Sequence, residues 1–467
     1  MLFSSTIFLF YFLPILIGLY FVAPKILKNT LLLIASLLFY AWGEGIYVVL
    51  MLASIVLNYL FGIWLSKPNP KKWVLFIGVS ANLSILLVYK YANFLVANFN
   101  QLLNYADLPL LLLKPISLPL GISFFTFQAI SYLIDIHRKE IAVERNPIHL
   151  GLYIAMFPQL IAGPIVRFKT VLADIKSRVV SAELFLSGVN RFIIGLAKKM
   201  LIANPLGAVV DIIFELPPES VPTHVAWFGI ACYALQIFFD FSGYSDMAIG
   251  LGRMFGFRFL ENFNYPYIAR SLQDFWRRWH ISLSSWFRDY LYIPMGGNRK
   301  SPLRTYLNLS VVFLLCGLWH GASWNFVVWG LFHGSLLILE RQGLENLLRR
   351  LWLPLQHAYL VFIILVSWVF FRSSDLSAAK DYLTRMFTME FGALPFEVID
   401  AMNVQVYLAL IVGLILCCQM RSINTYCRTN FPRISSSIYI PMIAGLFYLS
   451  ATQLAVSTHN PFIYFRF

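Results

Sequence analysis

Three histidines lie inside apolar stretches of this 467-residue sequence, where an ionisable side chain is costly and needs a reason. They are His280, which follows Arg-Arg-Trp, His320, in the run Gly-Leu-Trp-His-Gly, and His333, in Leu-Phe-His-Gly. Neutral histidine accepts a proton near neutral pH, as a general base must. His320, with Asn325 nearby, is therefore the first candidate for acid–base chemistry, and a hydrogen bond between two helices is its structural alternative.

His333 follows His320 by thirteen residues. On a continuous helix this spacing is roughly 20 Å along the axis, so the two imidazoles could not serve one reacting atom. We therefore expect His333 to be structural. Gly317 and Gly321 flank His320 and form a small-residue pair that lets another backbone or a ligand come close. Simple helix packing would explain the same pair.

The segment 274–290 combines aromatic, basic and hydroxyl side chains. Trp276, His280, Leu283 and Phe287 recur every three or four residues, which places them on one helical face. The spacing predicts one amphipathic helix that lies at the cytoplasmic surface or dips into the bilayer. A membrane-surface anchor is the simplest alternative, but an anchor needs no imidazole on its apolar face.

Two other polar clusters interrupt apolar runs. The run from Asp240 to Asp246 carries two carboxylates, which could line a polar cavity or could hold helices together by hydrogen bonds. Both interpretations remain open. The run Phe157-Pro-Gln-Leu-Ile-Ala-Gly-Pro164 should break or kink a helix. Broken helices at membrane depth must line protein or a water-filled cavity.

The composition indicates which elements hold these residues. Hydrophobic residues are 59% of the chain and charged residues 12%, and the mean hydropathy is +0.71. The usual charged share is roughly 25%, so a soluble fold is excluded, and so is disorder, because disordered chains are polar. The net charge of +14 lies in short loops, which indicates membrane orientation rather than nucleic-acid binding. The five cysteines form no CxxC pattern, and we expect no metal site.

Apolar runs follow one another along the chain with short breaks between them. We predict ten to twelve transmembrane spans of about 20 residues each, within one integral membrane domain over 1–467. Basic loops at 67–72 and 137–139 should face the cytoplasm, and the loop 42–45 should face the outside. The apolar runs lie near 7–23, 30–43, 46–65, 73–90, 117–136, 148–166, 224–241, 306–319, 323–339, 358–371, 404–419 and 436–453.

Together these segments resemble the membrane-bound O-acyltransferase (MBOAT) family, and most closely its alginate O-acetyltransferase branch. Each motif alone is weak, but the motifs occur in family order over nearly the whole chain. The matching pieces are Met1–Ser5, Phe157–Gln159, Ala162–Pro164, Asp240–Asp246, Asp274–Arg288, Arg288–Pro294, Gly296–Arg299, Gly317–Gly321 and Phe462–Phe465.

The resemblance implies a fold and a catalytic pair. The implied fold is all-α and polytopic, with tilted transmembrane helices and re-entrant or amphipathic helices around a thinned centre and a central tunnel. His320 is the implied catalytic histidine, and His280 is its polar partner. Neutral His320 would remove a proton from an acceptor hydroxyl, and His280 would orient a reactant or stabilise the oxyanion.

The implied donor is a cytoplasmic acyl thioester such as acetyl-CoA, used as a substrate, with no bound cofactor. Its phosphates could bind to arginines near the His280 segment, although the headgroups of anionic lipids in the bilayer are an equal alternative for each arginine. Asp240, Asp246 and Asn325 complete the expected substrate-binding residues. The arginines are Arg277, Arg278, Arg288 and Arg299.

D-alanyltransferases of teichoic acid share the histidine motifs but generally lack the run from Asp289 to Arg299 that this chain has. The resemblance therefore favours O-acetylation of an exported polysaccharide of the alginate, cellulose or peptidoglycan kind. The enzyme would work in the bacterial cytoplasmic membrane, directly or through an extracytoplasmic acetyltransferase partner, and beside a polysaccharide synthase complex. The alternatives are D-alanyl transfer, a transporter or flippase, and a scaffold of a polysaccharide synthase.

Overall fold

The computed structural model describes residues 1–68, 71–418, 432–456 and 462–463, and these residues form helices, turns and loops without a strand. Eight of their helices are long and apolar enough to cross a membrane, and Phe8–Val22 and Val404–Cys417 are shorter apolar helices. The all-α polytopic class is confirmed, but the eight long helices of the described residues are fewer than the ten to twelve spans predicted. Cys427, Tyr464 and Phe465 lie outside the described residues. The eight long helices are Lys25–Glu44, Tyr47–Leu65, Lys72–Tyr105, Ala182–Glu215, Thr223–Met254, Pro302–His320, Leu353–Arg372 and Ile438–Val456.

The contacts within the chain divide it into two compact units, and the prediction of one integral membrane domain over 1–467 stays a prediction. Unit 1 comprises Met1–Val189 and Ala248–Leu260, and unit 2 comprises Asn190–Met247 and Glu261–Phe467. Two helices contribute residues to both units, namely α10 (Ala182–Ala197) and α12 (Thr223–Met254). The three histidines with which the sequence analysis began all belong to unit 2.

Unit 1 contains the predicted break at the Phe157–Pro164 segment. The backbone N–H of Phe157 donates to Ser36 Oγ at 3.1 Å, so this end of the break has a partner in the apolar interior. Helix α7 ends at Ala155 and α8 begins at Phe157. The whole helices of unit 1 are α1 (Leu13–Val22), α2 (Lys28–Glu44), α3 (Tyr47–Leu65), α4 (Lys72–Leu86), α5 (Ala92–Tyr105), α6 (Ile122–His137), α7 (Pro147–Ala155), α8 (Phe157–Leu160) and α9 (Phe168–Lys176).

Unit 2 contains the remaining helices. Several of its helices continue into single π-helical turns, of which Lys198–Ala203 joins α10 to α11. The whole helices of unit 2 are α11 (Asn204–Glu215), α13 (Leu272–Arg278), α14 (Ile281–Phe287), α15 (Pro302–His320), α16 (Trp324–Leu339), α17 (Glu345–Leu348), α18 (Leu353–Arg372), α19 (Leu376–Phe387), α20 (Phe396–Ala401), α21 (Val404–Cys417) and α22 (Pro432–Val456).

The amphipathic helix predicted over 274–290 is wrong, because the chain breaks at His280. Helix α13 ends at Arg278, α14 begins at Ile281, and His280 between them has φ 45° and ψ 53°. A left-handed backbone at a residue other than glycine costs on the order of 1–3 kcal/mol and persists only where its surroundings hold it. Trp276 and His280 therefore do not share a helical face.

Helices α15 and α16 form a tight antiparallel hairpin. α15 ends at His320 and α16 begins at Trp324, so only three residues connect them. A Cβ on Gly317 would collide with the carbonyl oxygen of Phe326, and a Cβ on Gly330 would collide with the carbonyl oxygen of Phe313. Of the two explanations for the Gly317 motif, the structure shows backbone packing between these helices.

Buried ion pairs tie α12 to α10 and to the π-helical turn that follows α10. Lys199 Nζ lies 2.7 Å from Asp240 Oδ1, and both side chains are almost completely buried. The backbone N–H of Ile463 donates to Asp240 Oδ2 at 2.8 Å. Six residues later in α12, Asp246 binds Arg191 and Lys198. Each aspartate therefore binds a lysine or an arginine of a neighbouring helix or turn. These contacts agree with the interpretation that the cluster holds helices together.

Replacing Gly317 with alanine tests the packing of the hairpin. The added Cβ collides with a carbonyl oxygen of α16, so we expect a destabilisation of about 1–3 kcal/mol. This loss would appear as a lower unfolding temperature of the purified protein in detergent. Gly445→Ala is the matched control, because a Cβ there meets nothing within 4 Å. A Gly317→Ala protein as stable as this control would contradict the packing.

Replacing Lys199 with methionine tests the buried ion pair. The substitution leaves the Asp240 carboxylate buried without its cation, which typically costs about 3–5 kcal/mol. The double variant Lys199→Met, Asp240→Asn removes both charges and should recover most of the lost stability in the same unfolding assay. Equal stability of the single variant and the wild type would show that the pair does not hold unit 2 together, and so would a double variant no better than the single.

Candidate active site

His320 lies at the end of α15 in aromatic surroundings. Its imidazole centroid is 5.0 Å from the ring of Trp319, 5.1 Å from Trp329 and 5.1 Å from Phe371. The side chain is 4% exposed. Three helices build this environment, since Trp329 belongs to α16 and Phe371 to α18. A basic nitrogen is thus held in an apolar interior, where electrostatic interactions are stronger than in water.

His280 is also buried, at the break between α13 and α14. Its ring packs on Phe241 with centroids 4.7 Å apart, and on Trp319 with centroids 5.9 Å apart. Trp319 therefore contacts both imidazoles, and its two distances of 5.9 Å and 5.0 Å limit the separation of the His280 and His320 centroids to about 11 Å. The two histidines predicted to act together therefore pack against the same indole in unit 2.

Burial determines the charge of His280. This residue lies outside the membrane-spanning helices, and the loss of hydration lowers the pKa of its imidazole to about 3. His280 is therefore neutral at neutral pH. A neutral imidazole has one N–H donor and one acceptor nitrogen, so the hydrogen bonds that it forms decide what it can do.

The distance expected between His320 and His333 is wrong, because the chain reverses between them. Both imidazoles pack on Trp329, with centroid distances of 5.1 Å and 4.7 Å, so they are at most about 10 Å apart. The indole of Trp276 donates to His333 Nδ1 at 3.4 Å. His333 is fully buried. The thirteen-residue spacing therefore does not separate His333 from His320, and His333 borders the aromatic rings that surround His320.

Sequence analysis missed Asn262, which holds the His280 break. Asn262 Oδ1 accepts the backbone N–H of Ser282 at 3.1 Å and the Ser282 hydroxyl at 2.9 Å, and it lies 3.2 Å from His280 Nδ1. The backbone oxygen of Asn262 accepts the N–H of Ile281 at 2.9 Å. Asn262 lies in a loop eighteen residues before His280. No periodic pattern connects two such positions, so the sequence carried no signal for this contact.

Glu340 is a second residue that sequence analysis missed. Its carboxylate accepts the backbone N–H groups of Leu272 at 2.7 Å and Gln273 at 3.1 Å, and the hydroxyl of Tyr359 at 3.3 Å. A carboxylate at the first turn of a helix satisfies N–H groups that have no partner within the helix and interacts favourably with the helix dipole. Glu340 thereby anchors the start of α13, the helix that leads to His280.

The four arginines expected to bind the donor lie on or near the surface of unit 2. Arg278 is bound to Asp274 at 2.9 Å, and Arg288 is bound to Asp289 at 2.6 Å. Arg277 is exposed and contacts the side-chain oxygen of Gln273 at 3.5 Å. Arg299 is exposed in the loop before α15. The structure does not place these guanidinium groups in contact with His280 or His320.

Asn325, predicted near His320, lies in the first turn of α16. Its side-chain N–H donates to the backbone oxygen of Ser373 at 2.9 Å, which ties α16 to the end of α18. Its Oδ1 is buried without a hydrogen-bond partner. Within the parts of the chain that the structure describes, no group of three or more His, Cys, Asp or Glu side chains could hold a metal ion.

Comparison with known proteins agrees with the motifs. Residues 137–374 match the model of the membrane-bound O-acyltransferase family. The chain is 43% identical over 408 residues to the “Probable alginate O-acetylase AlgI” of Pseudomonas aeruginosa, covering 86% of this chain and 78% of the relative. It is 38% identical over 427 residues to the peptidoglycan O-acetyltransferase of Helicobacter pylori, covering 83% and 80%.

A teichoic acid D-alanyltransferase of Bacillus subtilis is more distant, at 32% identity over 233 residues and 47% of this chain. The matched family region contains both candidate histidines and the helices that surround them. The transporter and scaffold alternatives are therefore not retained. The chain belongs to the membrane-bound O-acyltransferase family, in its alginate O-acetyltransferase-like branch, and is an O-acyltransferase.

Proposed function

We propose that this enzyme transfers an acetyl group from a cytoplasmic thioester such as acetyl-CoA to a hydroxyl, for the O-acetylation of an exported polysaccharide. The observation that carries the proposal is the placement of His280 and His320 on one buried indole, Trp319. The names of the relatives support an acetyl group over a D-alanyl group, because the O-acetylases match most of this chain and the D-alanyltransferase matches about half.

In the proposed reaction neutral His320 acts as the general base. It takes the proton of the acceptor hydroxyl while the oxygen attacks the thioester carbonyl, and a tetrahedral oxyanion forms. The C–S bond then breaks, the carbonyl is restored as an ester, and the imidazolium of His320 returns the proton to the leaving thiolate. Base catalysis of this kind typically accelerates a reaction by about 10²–10⁴-fold.

The aromatic surroundings of His320 serve this chemistry by excluding water. Rings from α15, α16 and α18 keep bulk water away from the thioester and so disfavour its hydrolysis. The thioester would therefore react with the acceptor hydroxyl rather than with water.

For the donor we propose that the exposed cations beside α13 and before α15 bind its phosphates on the cytoplasmic side. Arg277 and Arg299 are the best placed, because both are exposed. Arg278 and Arg288 would exchange a carboxylate partner for phosphate. We assign Asp240 and Asp246 to their ion pairs rather than to substrate binding, and we retain Asn325 through its buried Oδ1.

The acceptor is proposed from chemistry and from the relatives together. Alginate and peptidoglycan are the polymers in the names of the O-acetylases that match this chain. Exported polymer lies outside the cell, whereas the thioester is made in the cytoplasm, so the enzyme would lie in the bacterial cytoplasmic membrane. We propose that acetyl reaches the sugar directly or through an extracytoplasmic acetyltransferase partner, next to a polysaccharide synthase complex.

Replacing His320 with glutamine tests the proposed base. Glutamine keeps a hydrogen-bonding amide but cannot accept a proton at neutral pH. We expect the variant to fold and reach the membrane while acetyl transfer falls about 10²-fold or more. Transfer of labelled acetyl from acetyl-CoA by purified protein provides the measurement.

The matched control is His224→Gln, the same substitution at an exposed histidine of α12. This variant should transfer acetyl at the wild-type rate at equal protein concentration. Near-normal transfer by His320→Gln would remove the general base from the mechanism. An absence of acetyl transfer by the wild type from any acyl thioester would overturn the proposed donor chemistry.

A further inference from the structure

The orientation of the Asn262 amide is determined by a backbone group. One side-chain atom of Asn262 lies 3.1 Å from the backbone nitrogen of Ser282. A backbone N–H can only donate, so the atom that faces it must be the amide oxygen and not the amide nitrogen. The Ser282 hydroxyl, 2.9 Å from the same oxygen, adds a second donor. A flipped amide would place two donors against –NH₂ in a buried site.

This orientation decides the tautomer of His280. Its Nδ1 lies 3.2 Å from the same oxygen, so Nδ1 must carry a hydrogen in order to donate to it. The Ser282 oxygen is farther from Nδ1, at 3.5 Å, and the serine hydroxyl is directed to Asn262. In a neutral imidazole with hydrogen on Nδ1, Nε2 carries a lone pair and can only accept.

The same residue also holds the backbone at His280. The left-handed conformation of His280 turns the chain so that the next two N–H groups, of Ile281 and Ser282, both reach Asn262. Asn262 is 1% exposed, and so is Ser282. The break is thus bound to one buried asparagine, whose Oδ1 faces three donors and whose backbone oxygen accepts a fourth hydrogen bond. These contacts fix both the orientation of the His280 imidazole and its tautomer.

We propose that Asn262 is a positioning residue that holds neutral His280 in the tautomer with hydrogen on Nδ1, so that Nε2 can only accept a hydrogen bond. Resting on the proposed function, this tautomer excludes donation from Nε2 of neutral His280 to the oxyanion. One of the two roles expected for His280 is thereby removed.

The surroundings of His280 carry few charges that could obscure a test by titration. Asp240 precedes the packing residue Phe241 and is paired with Lys199. On the Trp319 side the titratable neighbour is His320. The helix before the break carries Asp274 and Arg278, which bind each other, and the loop of Asn262 carries Glu261, which binds Arg191. A carboxylate placed at position 262 would be the new charge nearest to His280.

The decisive variant is Asn262→Asp. Aspartate keeps an acceptor for Nδ1–H and for Ser282, so the fold should persist, but its negative charge favours imidazolium. An opposite charge at this distance raises a pKa by about 1–3 units. Titration of the ¹⁵N signals of His280 should therefore give a midpoint about 1–3 pH units higher in Asn262→Asp than in the wild type. At pH values above this midpoint, acetyl transfer by the variant should approach the wild-type rate.

Two controls separate positioning from general damage. Asn264→Asp makes the same change at an exposed position two residues away and should leave the titration midpoint of His280 in place. Ser282→Ala removes a neutral partner of Asn262 and should also leave this midpoint in place. An unchanged His280 midpoint in Asn262→Asp would overturn the proposal.

A second measurement determines the tautomer directly. In protein with ¹⁵N-labelled histidine in lipid bilayers, the His280 signals, assigned by their loss in His280→Gln, should show a protonated Nδ1 and an unprotonated Nε2. A protonated Nε2 would overturn the inference even if acetyl transfer is normal. Failure of the wild type to transfer acetyl would instead overturn the proposed function, and the spectrum would still decide the tautomer.

Discussion

The close approach of α15 and α16 is the contact on which the site in unit 2 depends. Gly317 and Gly330 lack side chains at the points where each helix meets a carbonyl oxygen of the other. Because the backbones come this near, the three-residue turn after His320 brings Trp329 against the imidazole. Without this approach the rings of α16 could not enclose His320, and its imidazole would be exposed to solvent or lipid.

A second constraint explains the polar residues of the interior. Buried polar groups are expensive unless they are hydrogen-bonded, and this cost is highest where water is absent. Each irregular feature of unit 2 described above accordingly has a dedicated partner. Asn262 serves the break at His280, Glu340 serves the start of α13, and Lys199 serves Asp240. These partners stabilise broken helices and carboxylates in an apolar environment.

The sequence predicted the class of fold, and it indicated the packing around His320, because both depend on local signals. Apolar runs of sufficient length indicate spans, and the glycines around His320 indicate close packing. The break at His280 was not predictable from periodicity, because a left-handed histidine leaves the spacing of apolar residues unchanged. The contact with Asn262 depends on tertiary folding alone.

The short distance between His320 and His333 had a local signal that the continuous-helix interpretation overlooked. Gly321 and Ser323 are residues typical of a helix end and a helix start, and they separate the two histidines. The apolar residues on both sides hide this turn from a hydropathy pattern. Hydropathy identifies membrane-embedded segments well, but it does not distinguish one long helix from two short ones that reverse direction.

The central claim is that His280 and His320 act in one transfer step across Trp319. The most direct measurement is acetyl transfer by His280→Gln, His320→Gln and the double variant, at matched amounts of folded protein. Residues that act as a unit lose activity non-additively, so the double variant should be about as slow as the slower single variant. A double variant whose loss equals the product of the two single losses would show independent contributions and would contradict the account.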